Sequence, residues 1–314
     1  MTNYLIAGAG PVGKTLAARL ISRGDNVLVA SRSGMSVTGA QAVTLDATNT
    51  AALAAAAQNC ETIFLATSPT AYHRWPEVWP PMFQSAIDAA HHSGAKLVIV
   101  GNLYAHGEGS AMPMTEQSPL LTNETKGRVR KEGWDLALAA HRRGDIQAVE
   151  VRASDYFGPG AGKTAQLGAG FFRPVLAGKK VSIFGSATAK HSWTFLEDFA
   201  RTLIAASDYE GEWGRPWLVP TDEPLSRAEI TARINSLTGN AAKVASYGSV
   251  LLRTLGIFSP GIRAANDSAY QFDRPFVVDA TETTNLLGVT ATKWHDALAT
   301  TVAWYRENPA ERTE

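Results

Sequence analysis

A glycine-rich stretch near the start of the chain, GAGPVGKT at residues 8–15, limits the fold more than any other feature. The spacing of Gly8, Gly10 and Gly13 is typical of a dinucleotide-binding strand-to-helix turn. In such a turn the first glycine allows a tight bend, the second admits a diphosphate against bare backbone, and the third lets the helix pack on the strand. Pro11 and Val12 complete the predicted diphosphate loop.

The same letters also fit a phosphate loop, in which Lys14 and Thr15 would hold a nucleotide triphosphate and magnesium. Such an enzyme needs an acidic residue at the end of a later strand, and Asp46, after a short strand close to the loop, is the one candidate. The second strand begins near Val27, where a βαβ unit of about 30 residues would place it. This context favours a dinucleotide over a triphosphate.

Short apolar runs bounded by Gly, Asn or Asp alternate with segments of helical composition through the first half of the chain. This alternation predicts an α/β fold, a Rossmann doubly wound parallel sheet. We expect a dinucleotide-binding domain over residues 1–155 and a mainly substrate-binding region over 156–314, some of whose segments return to the first domain. The predicted strands are Tyr4–Ala7, Val27–Ala30, Ala42–Leu45, Thr62–Ala66, Lys96–Val100 and Ala148–Val151, and the helices between them are Val12–Arg23, Thr50–Gln58, Phe83–His92 and Pro119–Arg142.

The composition points to a small-molecule partner. Lys plus Arg and Asp plus Glu both number 29 among 314 residues, so no net charge draws the chain to nucleic acid or to an anionic membrane. One cysteine, Cys60, allows no internal disulfide and no cysteine-rich zinc site, and the histidines show no metal-binding spacing. With no signal peptide and no apolar run of about 20 residues, we expect a cytoplasmic protein without a metal.

The second strand ends in Ser31, Arg32 and Ser33, where an NAD enzyme usually carries Asp or Glu for the ribose hydroxyls. No carboxylate is present there to repel a phosphate, and Arg32 could bind a 2′-phosphate with help from the two hydroxyls. This predicts NADP(H), with NAD(H) as the alternative cofactor. A solvated surface arginine is the competing interpretation of Arg32.

Over nearly its whole length the chain resembles the short-chain dehydrogenase/reductase superfamily, in particular its extended and atypical members of the NAD-dependent epimerase/dehydratase type. The resemblance depends on the glycine loop, on the segment 101–107, on Arg152–Pro159 and on Trp193–Ala200. It implies that Asp46 and Ala47 bracket the adenine and that Ala66 and Thr67 pass the cofactor ribose. Asp46 could instead cap the following helix or turn.

Members of this superfamily usually hold a Tyr-x-x-x-Lys pair on one helix face and a Ser or Thr after the fifth strand. Here Lys126 lies in a predicted helix that begins at Ser118-Pro119, but Thr122 stands at the tyrosine position and Asn102 at the Ser or Thr position. A threonine hydroxyl is a much poorer proton donor than a phenol. Lys126 is expected to bind the nicotinamide ribose, or else to belong to a solvated basic helix face.

Several side chains could replace the missing tyrosine or shape the substrate pocket. Tyr104 and His106 follow the fifth strand and Tyr156 follows the sixth, and each could instead have a purely structural role. Aromatic residues in predicted loops, among them Trp75 and Trp193, would line an apolar pocket if they converge. A flat or hydrophobic carbonyl compound would suit such a pocket.

Three functions follow. The first is an NADP(H)-dependent oxidoreductase that acts on a carbonyl or alcohol of a small, apolar or aromatic substrate. The second is a nucleotide-sugar epimerase or dehydratase, and the third is a cofactor-binding sensor or interaction protein without turnover. Superfamily members are often dimers through paired helices, so the resemblance also implies a homodimer.

Overall fold

A computed structural model of the chain describes residues 1–69, 71–162, 165–247 and 267–309. Its centre is a seven-stranded parallel sheet in the order β10-β6-β5-β4-β1-β2-β3. The predicted α/β Rossmann fold is confirmed. The strands are β1 Asn3–Ala7, β2 Asn26–Ser31, β3 Gln41–Thr44, β4 Thr62–Leu65, β5 Lys96–Asn102, β6 Ala148–Ala153 and β10 Pro216–Leu218.

Alternate residues of the strands enter two separate cores, one on each face of the sheet. Leu5 and Ala7 of β1 pack with helices α2 Thr50–Ala57, α3 Trp75–Ser93 and α4 Thr125–Arg142. Tyr4 and Ile6 pack on the opposite face with α1 Pro11–Ser22 and α6 Leu196–Ser207. Strands buried on both faces read as continuous apolar runs, which is why they could be found in the sequence.

A third core lies in the second half of the chain and brings together three further helices and two small parallel sheets, β7–β9 and β8–β11. Since β10 pairs with β6, this half also supplies a strand to the central sheet. The division into domains at residue 155 stays a prediction. The elements are β7 Tyr156–Phe157, α5 Ala169–Leu176, β8 Val181–Phe184, β9 Thr194–Phe195, α7 Arg227–Thr238, β11 Val244–Tyr247, α8 Tyr270–Asp273, α9 Thr281–Leu287 and α10 Trp294–Glu307.

Helix α3 begins eight residues before the predicted Phe83, and it continues through Pro80 and Pro81. An internal proline usually costs about 3 kcal/mol or more. Here Trp75, Trp79 and Phe83, spaced four apart, form a buried aromatic column with ring centroids 5.7 and 5.0 Å apart. Burying these large side chains offsets the cost of the prolines.

Helix α4 begins at Thr125, so the predicted start at Pro119 is wrong. Ser118 does not cap a helix, because its hydroxyl accepts a hydrogen bond from the Thr115 amide at 2.8 Å within a turn. Among the residues described, no helix is both long and apolar enough to cross a membrane, and no group of three His, Cys, Asp or Glu side chains could hold a metal ion.

Candidate active site

The glycine loop between β1 and α1 has the shape that a diphosphate requires. A Cβ on Gly8, where φ is +134°, would lie 2.5 Å from the Ala66 carbonyl carbon, and one on Gly13 would lie 2.0 Å from the Gly8 oxygen. A Cβ on Gly10 would meet nothing within 4 Å. Two glycines therefore permit close packing, while the third borders open space at the start of α1, where anions are favoured.

The residues that a phosphate loop would use have other environments. Lys14 is exposed on α1, and the Thr15 hydroxyl donates to the Pro11 carbonyl at 3.0 Å. Neither residue lines the cavity beside the loop. These positions favour the dinucleotide over the triphosphate.

The end of β2 lies beside the end of β3, as an adenosine site would require. Arg32 and Ser33 are exposed, while the Ser31 hydroxyl already accepts a hydrogen bond from the Met35 amide. The Thr48 amide and hydroxyl, assisted by the charge of Arg32, lower the pKa of Asp46. Asp46 thus caps a turn, and the adjacent Ala47 is buried.

A cavity of about 400 Å³ opens between the glycine loop and the carboxyl ends of β4, β5 and β6. Ligands of doubly wound sheets bind at this edge. Ten of the predicted site residues line the cavity: Gly8, Gly10, Pro11, Val12, Ala66, Thr67, Trp75, Asn102, Tyr104 and Tyr156.

Tyr104 and Tyr72 line this cavity, and Lys126, which is buried outside the cavity lining, lies against both of their rings. The Lys126 Nζ is 5.0 Å from the Tyr104 ring centroid and 4.8 Å from that of Tyr72, and it donates to the Ser268 hydroxyl at 2.7 Å. The Tyr104 and Tyr72 hydroxyls influence each other's titration. The fold therefore places a phenol next to a lysine although the Tyr-x-x-x-Lys motif is absent.

Burial shifts the titration of both partners. Enclosure in the protein raises the pKa of Tyr104 well above 10, so its hydroxyl keeps its proton at neutral pH. The same effect lowers the pKa of Lys126 to about 8, against the opposing influence of Asp267, Asp155 and Glu124. A pKa raised in this way weakens Tyr104 as an acid, so proton donation from its hydroxyl to a carbonyl oxygen would depend on the charge of Lys126 to stabilise the phenolate.

Thr122 and His106 do not line the cavity. Thr122 precedes α4 and donates to the Glu124 carboxylate at 2.7 Å, so it does not share a helix face with Lys126. Burial, followed by the charge of Arg152, lowers the pKa of His106 to about 3, which keeps its ring neutral. The structure gives neither side chain a position from which to exchange protons in this cavity.

The remaining predicted residues divide between the cavity wall and its surroundings. Asn102 lines the wall, and its Oδ1 accepts from the Tyr104 amide at 3.1 Å, which fixes the turn after β5. The Trp75 indole donates to the Pro69 carbonyl at 3.0 Å, and burial raises the pKa of Tyr156 to about 12. Trp193 is buried outside the cavity lining and donates to the Leu225 carbonyl.

The sequence analysis assigned no site role to the two charged residues in the described cavity lining, Arg130 and Asp155, whereas Tyr72 is one of the loop aromatics expected beside the cofactor. Arg130 donates to the Val100 carbonyl at 2.7 Å and lies 4.5 Å from the Trp79 ring centroid. Asp155 follows β6 and accepts from, or donates to, the His191 ring at 3.1 Å. Its position after a buried parallel strand was the available signal, because polar side chains at such ends face the ligand crevice.

Comparison with known proteins places this site in a family. The model of the NAD dependent epimerase/dehydratase family matches residues 4–218. The chain belongs to that family of enzymes. Among named relatives, the dTDP-glucose 4,6-dehydratase of Streptomyces niveus is 23% identical over 223 residues, which make up 71% of this chain and 60% of that protein. The chain thus matches less than two thirds of that relative's length.

Solved structures of similar fold cover almost the whole chain. MoeE5 in complex with UDP-glucuronic acid and NAD has a TM-score of 0.81 and 22% identity, covering 98% of this chain and 100% of that one. UDP-glucose 4-epimerase from Thermotoga maritima, with UDP-glucose, has a TM-score of 0.81 and 16% identity at the same coverage. At sequence identities this low, the structural similarity establishes the fold alone.

Proposed function

We propose that this protein catalyses hydride transfer between a nicotinamide cofactor and a carbinol carbon of a nucleotide sugar, in an epimerase or dehydratase reaction. Family membership supports the reaction class. The observation that carries the proposal is that Tyr104, which lines the same cavity as the glycine loop, lies against Lys126. The first predicted function, net oxidoreduction of an apolar or aromatic compound, has less support from the relatives.

The residues present fit a dinucleotide along the loop. Gly10 and the start of α1 would face its diphosphate, and Lys126 would approach the nicotinamide ribose. When bound, the cofactor supplies or accepts a hydride at its nicotinamide ring. Tyr104 would exchange the accompanying proton with the substrate oxygen, while Asn102 holds the Tyr104 backbone in place.

For the cofactor, we propose NADP(H) in preference to the NAD named with several similar structures. Residues 31–33 offer no carboxylate to bind ribose hydroxyls, and Arg32 is exposed at the end of β2. Arg32 would meet a 2′-phosphate with a charge-assisted hydrogen bond.

A second function has one specific observation in its favour. Tyr72, Trp75, Trp79 and Tyr104 line the cavity, and among the lining residues that the structure describes the basic side chain is Arg130, already bonded to Val100 and Glu150. An aromatic wall suits a flat or apolar carbonyl compound. Net reduction of such a compound is therefore the competing proposal.

The two functions differ in cofactor stoichiometry. The purified chain would be incubated with UDP-glucose or dTDP-glucose and catalytic NAD⁺ or NADP⁺, and the sugar product identified by mass spectrometry and NMR. Conversion of many sugar molecules per cofactor supports the epimerase or dehydratase, whereas consumption of one NADPH per molecule of an aromatic aldehyde or ketone supports the reductase. Cofactor binding without turnover of the sugar or of the carbonyl compound would overturn both enzymatic functions and leave a cofactor-binding sensor or interaction protein.

A further inference from the structure

A histidine that the sequence analysis did not single out lies behind the cavity. His191 is 3% exposed, with the rings of Phe272 and Phe276 stacked on it at interplanar angles of 13° and 27°. The Trp193 ring lies 4.2 Å from it, centroid to centroid. Aromatic rings thus shield the imidazole from water, and its hydrogen-bond partners determine where its protons sit.

The partners of His191 favour a proton in each of its two ring-nitrogen contacts. Nδ1 is 3.1 Å from the Gln271 carbonyl, which can only accept, so Nδ1 carries a hydrogen. Nε2 is 3.1 Å from Oδ2 of Asp155. An unprotonated Nε2 and an ionised carboxylate would repel each other at this distance. This repulsion favours one further proton between them, on His191 or on Asp155, over a bare Nε2 that accepts from the Ser154 hydroxyl 3.2 Å away.

Ser154 does not turn this pair into a nucleophilic triad. Its hydroxyl lies 3.2 Å from Nε2, the same nitrogen that faces Asp155. In a Ser-His-Asp triad the serine and the carboxylate occupy opposite nitrogens. Here the opposite nitrogen is bound to a backbone carbonyl, so the shared proton cannot activate Ser154 by that route.

Asp155 connects His191 with the candidate active site. It is the one carboxylate among the cavity-lining residues that the structure describes, and it influences the titration of three phenols and two cations from five elements. These groups are Tyr72 before α3, Tyr104 after β5, Lys126 on α4, Tyr156 on β7 and Arg227 on α7.

We propose that the Asp155–His191 pair stores the proton that reprotonates the Tyr104 phenolate during the reductive step. This inference rests on the proposed function. In that step a hydride from NAD(P)H forms the new C–H bond, and the carbonyl oxygen takes the Tyr104 proton. The resulting phenolate then takes the proton of the pair, which is restored from water, so that carbonyl, NAD(P)H and one proton give alcohol and NAD(P)⁺. Oxidation runs the same route backwards.

The protonation of the pair can be tested without any substrate. In protein labelled with ¹⁵N and ¹³C, the His191 ring is assigned through its contacts with Trp193. At pH 7 we expect either both His191 nitrogens protonated or a protonated Asp155 carboxyl. In Asp155→Asn, whose amide can donate to Nε2 and keep the contact, we expect a proton on Nδ1 alone. A bare Nε2 beside an ionised Asp155 in the wild type would overturn the inference.

Turnover gives the second test, with UDP-glucose and NADP⁺ or NAD⁺ as the probe. The oxidative half-reaction should quicken as the pH rises, because it needs the Asp155–His191 pair without its shared proton. The reductive half-reaction should slow, because it needs the pair with that proton. Asp155→Asn should slow both by about 10²-fold and abolish these opposite trends, while the exposed His295→Gln keeps them. An unaltered pH profile in Asp155→Asn refutes the storage role. Failure of the wild type on UDP-glucose instead counts against the proposed function, and the resonance experiment still decides the inference.

Discussion

The Lys126 ammonium lies 5.0 Å from the centre of the Tyr104 ring, although Tyr104 follows β5 and Lys126 belongs to α4. The superfamily resemblance implies a tyrosine four residues before the lysine, and in this chain that position is Thr122. The structure instead brings a phenol to the lysine from a neighbouring loop. In the proposed function, the phenol that acts with Lys126 would therefore come from a different backbone segment.

The first prediction concerns Tyr104. Tyr104→Phe removes the hydroxyl but keeps the ring against Lys126 and Trp75, so folding and cofactor binding should change little. Because general acid catalysis contributes about 10²–10⁴-fold, kcat should fall by that factor. Steady-state kinetics and cofactor fluorescence measure the two effects. Tyr247→Phe, on an exposed tyrosine, is the matched control, and equal kcat in both variants would exclude Tyr104 as the donor.

The second prediction compares two glycines of the same loop. Gly10 has φ near −75° and open space where a Cβ would lie, so Gly10→Ala should fold normally but lose about tenfold or more in NADPH affinity, or 1.4 kcal/mol. Gly13→Ala would place a methyl group 2.0 Å from the Gly8 oxygen and should lower the free energy of unfolding by about 1–3 kcal/mol.

Urea unfolding of the cofactor-free variants and calorimetric titration with NADPH separate these outcomes. If Gly10→Ala bound NADPH as tightly as the wild type, the diphosphate would not lie against this loop.

The cofactor preference depends on Arg32. Arg32→Ala should weaken NADPH about 10-fold to 100-fold, since a hydrogen bond to a charged group contributes about 1.5–3 kcal/mol, and should leave NADH almost unaffected. Both dissociation constants are measured at one ionic strength because surface charges are screened by salt. Arg128→Ala, an exposed arginine on α4, serves as the control. An equal loss for the two cofactors would contradict the choice of NADP(H).

The fold was predictable because its inner strands are buried on both faces and because the spacing from the glycine loop to the second strand fits a βαβ unit. The site was less predictable because its parts converge from distant segments. Arg130 belongs to no motif, and Asp155 lies in the segment Arg152–Pro159 without a role assigned to it. Lys126 meets Tyr104 through the packing of a loop on α4. The start of α3 was missed because local sequence shows the prolines and not the aromatic column that outweighs them.

The fourth prediction concerns pH and His106. Its pKa is about 3 in the folded chain and 6.5 when exposed, so below pH 6.5 the unfolded chain binds a proton that the folded chain does not. Stability should therefore fall as the pH falls, by roughly 2 kcal/mol between pH 7 and pH 5 from this residue. His106→Gln should show a correspondingly flatter dependence of the unfolding free energy, whereas the exposed His295→Gln should retain the wild-type slope. Parallel slopes in all three proteins would contradict the buried neutral ring.

The last prediction concerns the carboxylate beneath the cavity. Glu150 is 2% exposed and accepts from Arg152 at 2.7 Å and from Arg130 at 3.3 Å, so one carboxylate compensates two buried guanidinium groups. Glu150→Gln would leave both cations without a counter-ion and should lower the free energy of unfolding by about 3–5 kcal/mol. Glu61→Gln breaks the surface pair with Lys96 and should cost less than about 1 kcal/mol in the same urea titration. Similar losses in the two variants would mean that water or another group solvates the arginines. Because Arg130 itself lines the cavity, the Glu150 variant should also bind NADPH more weakly, which links the ion cluster in the core to the site above it.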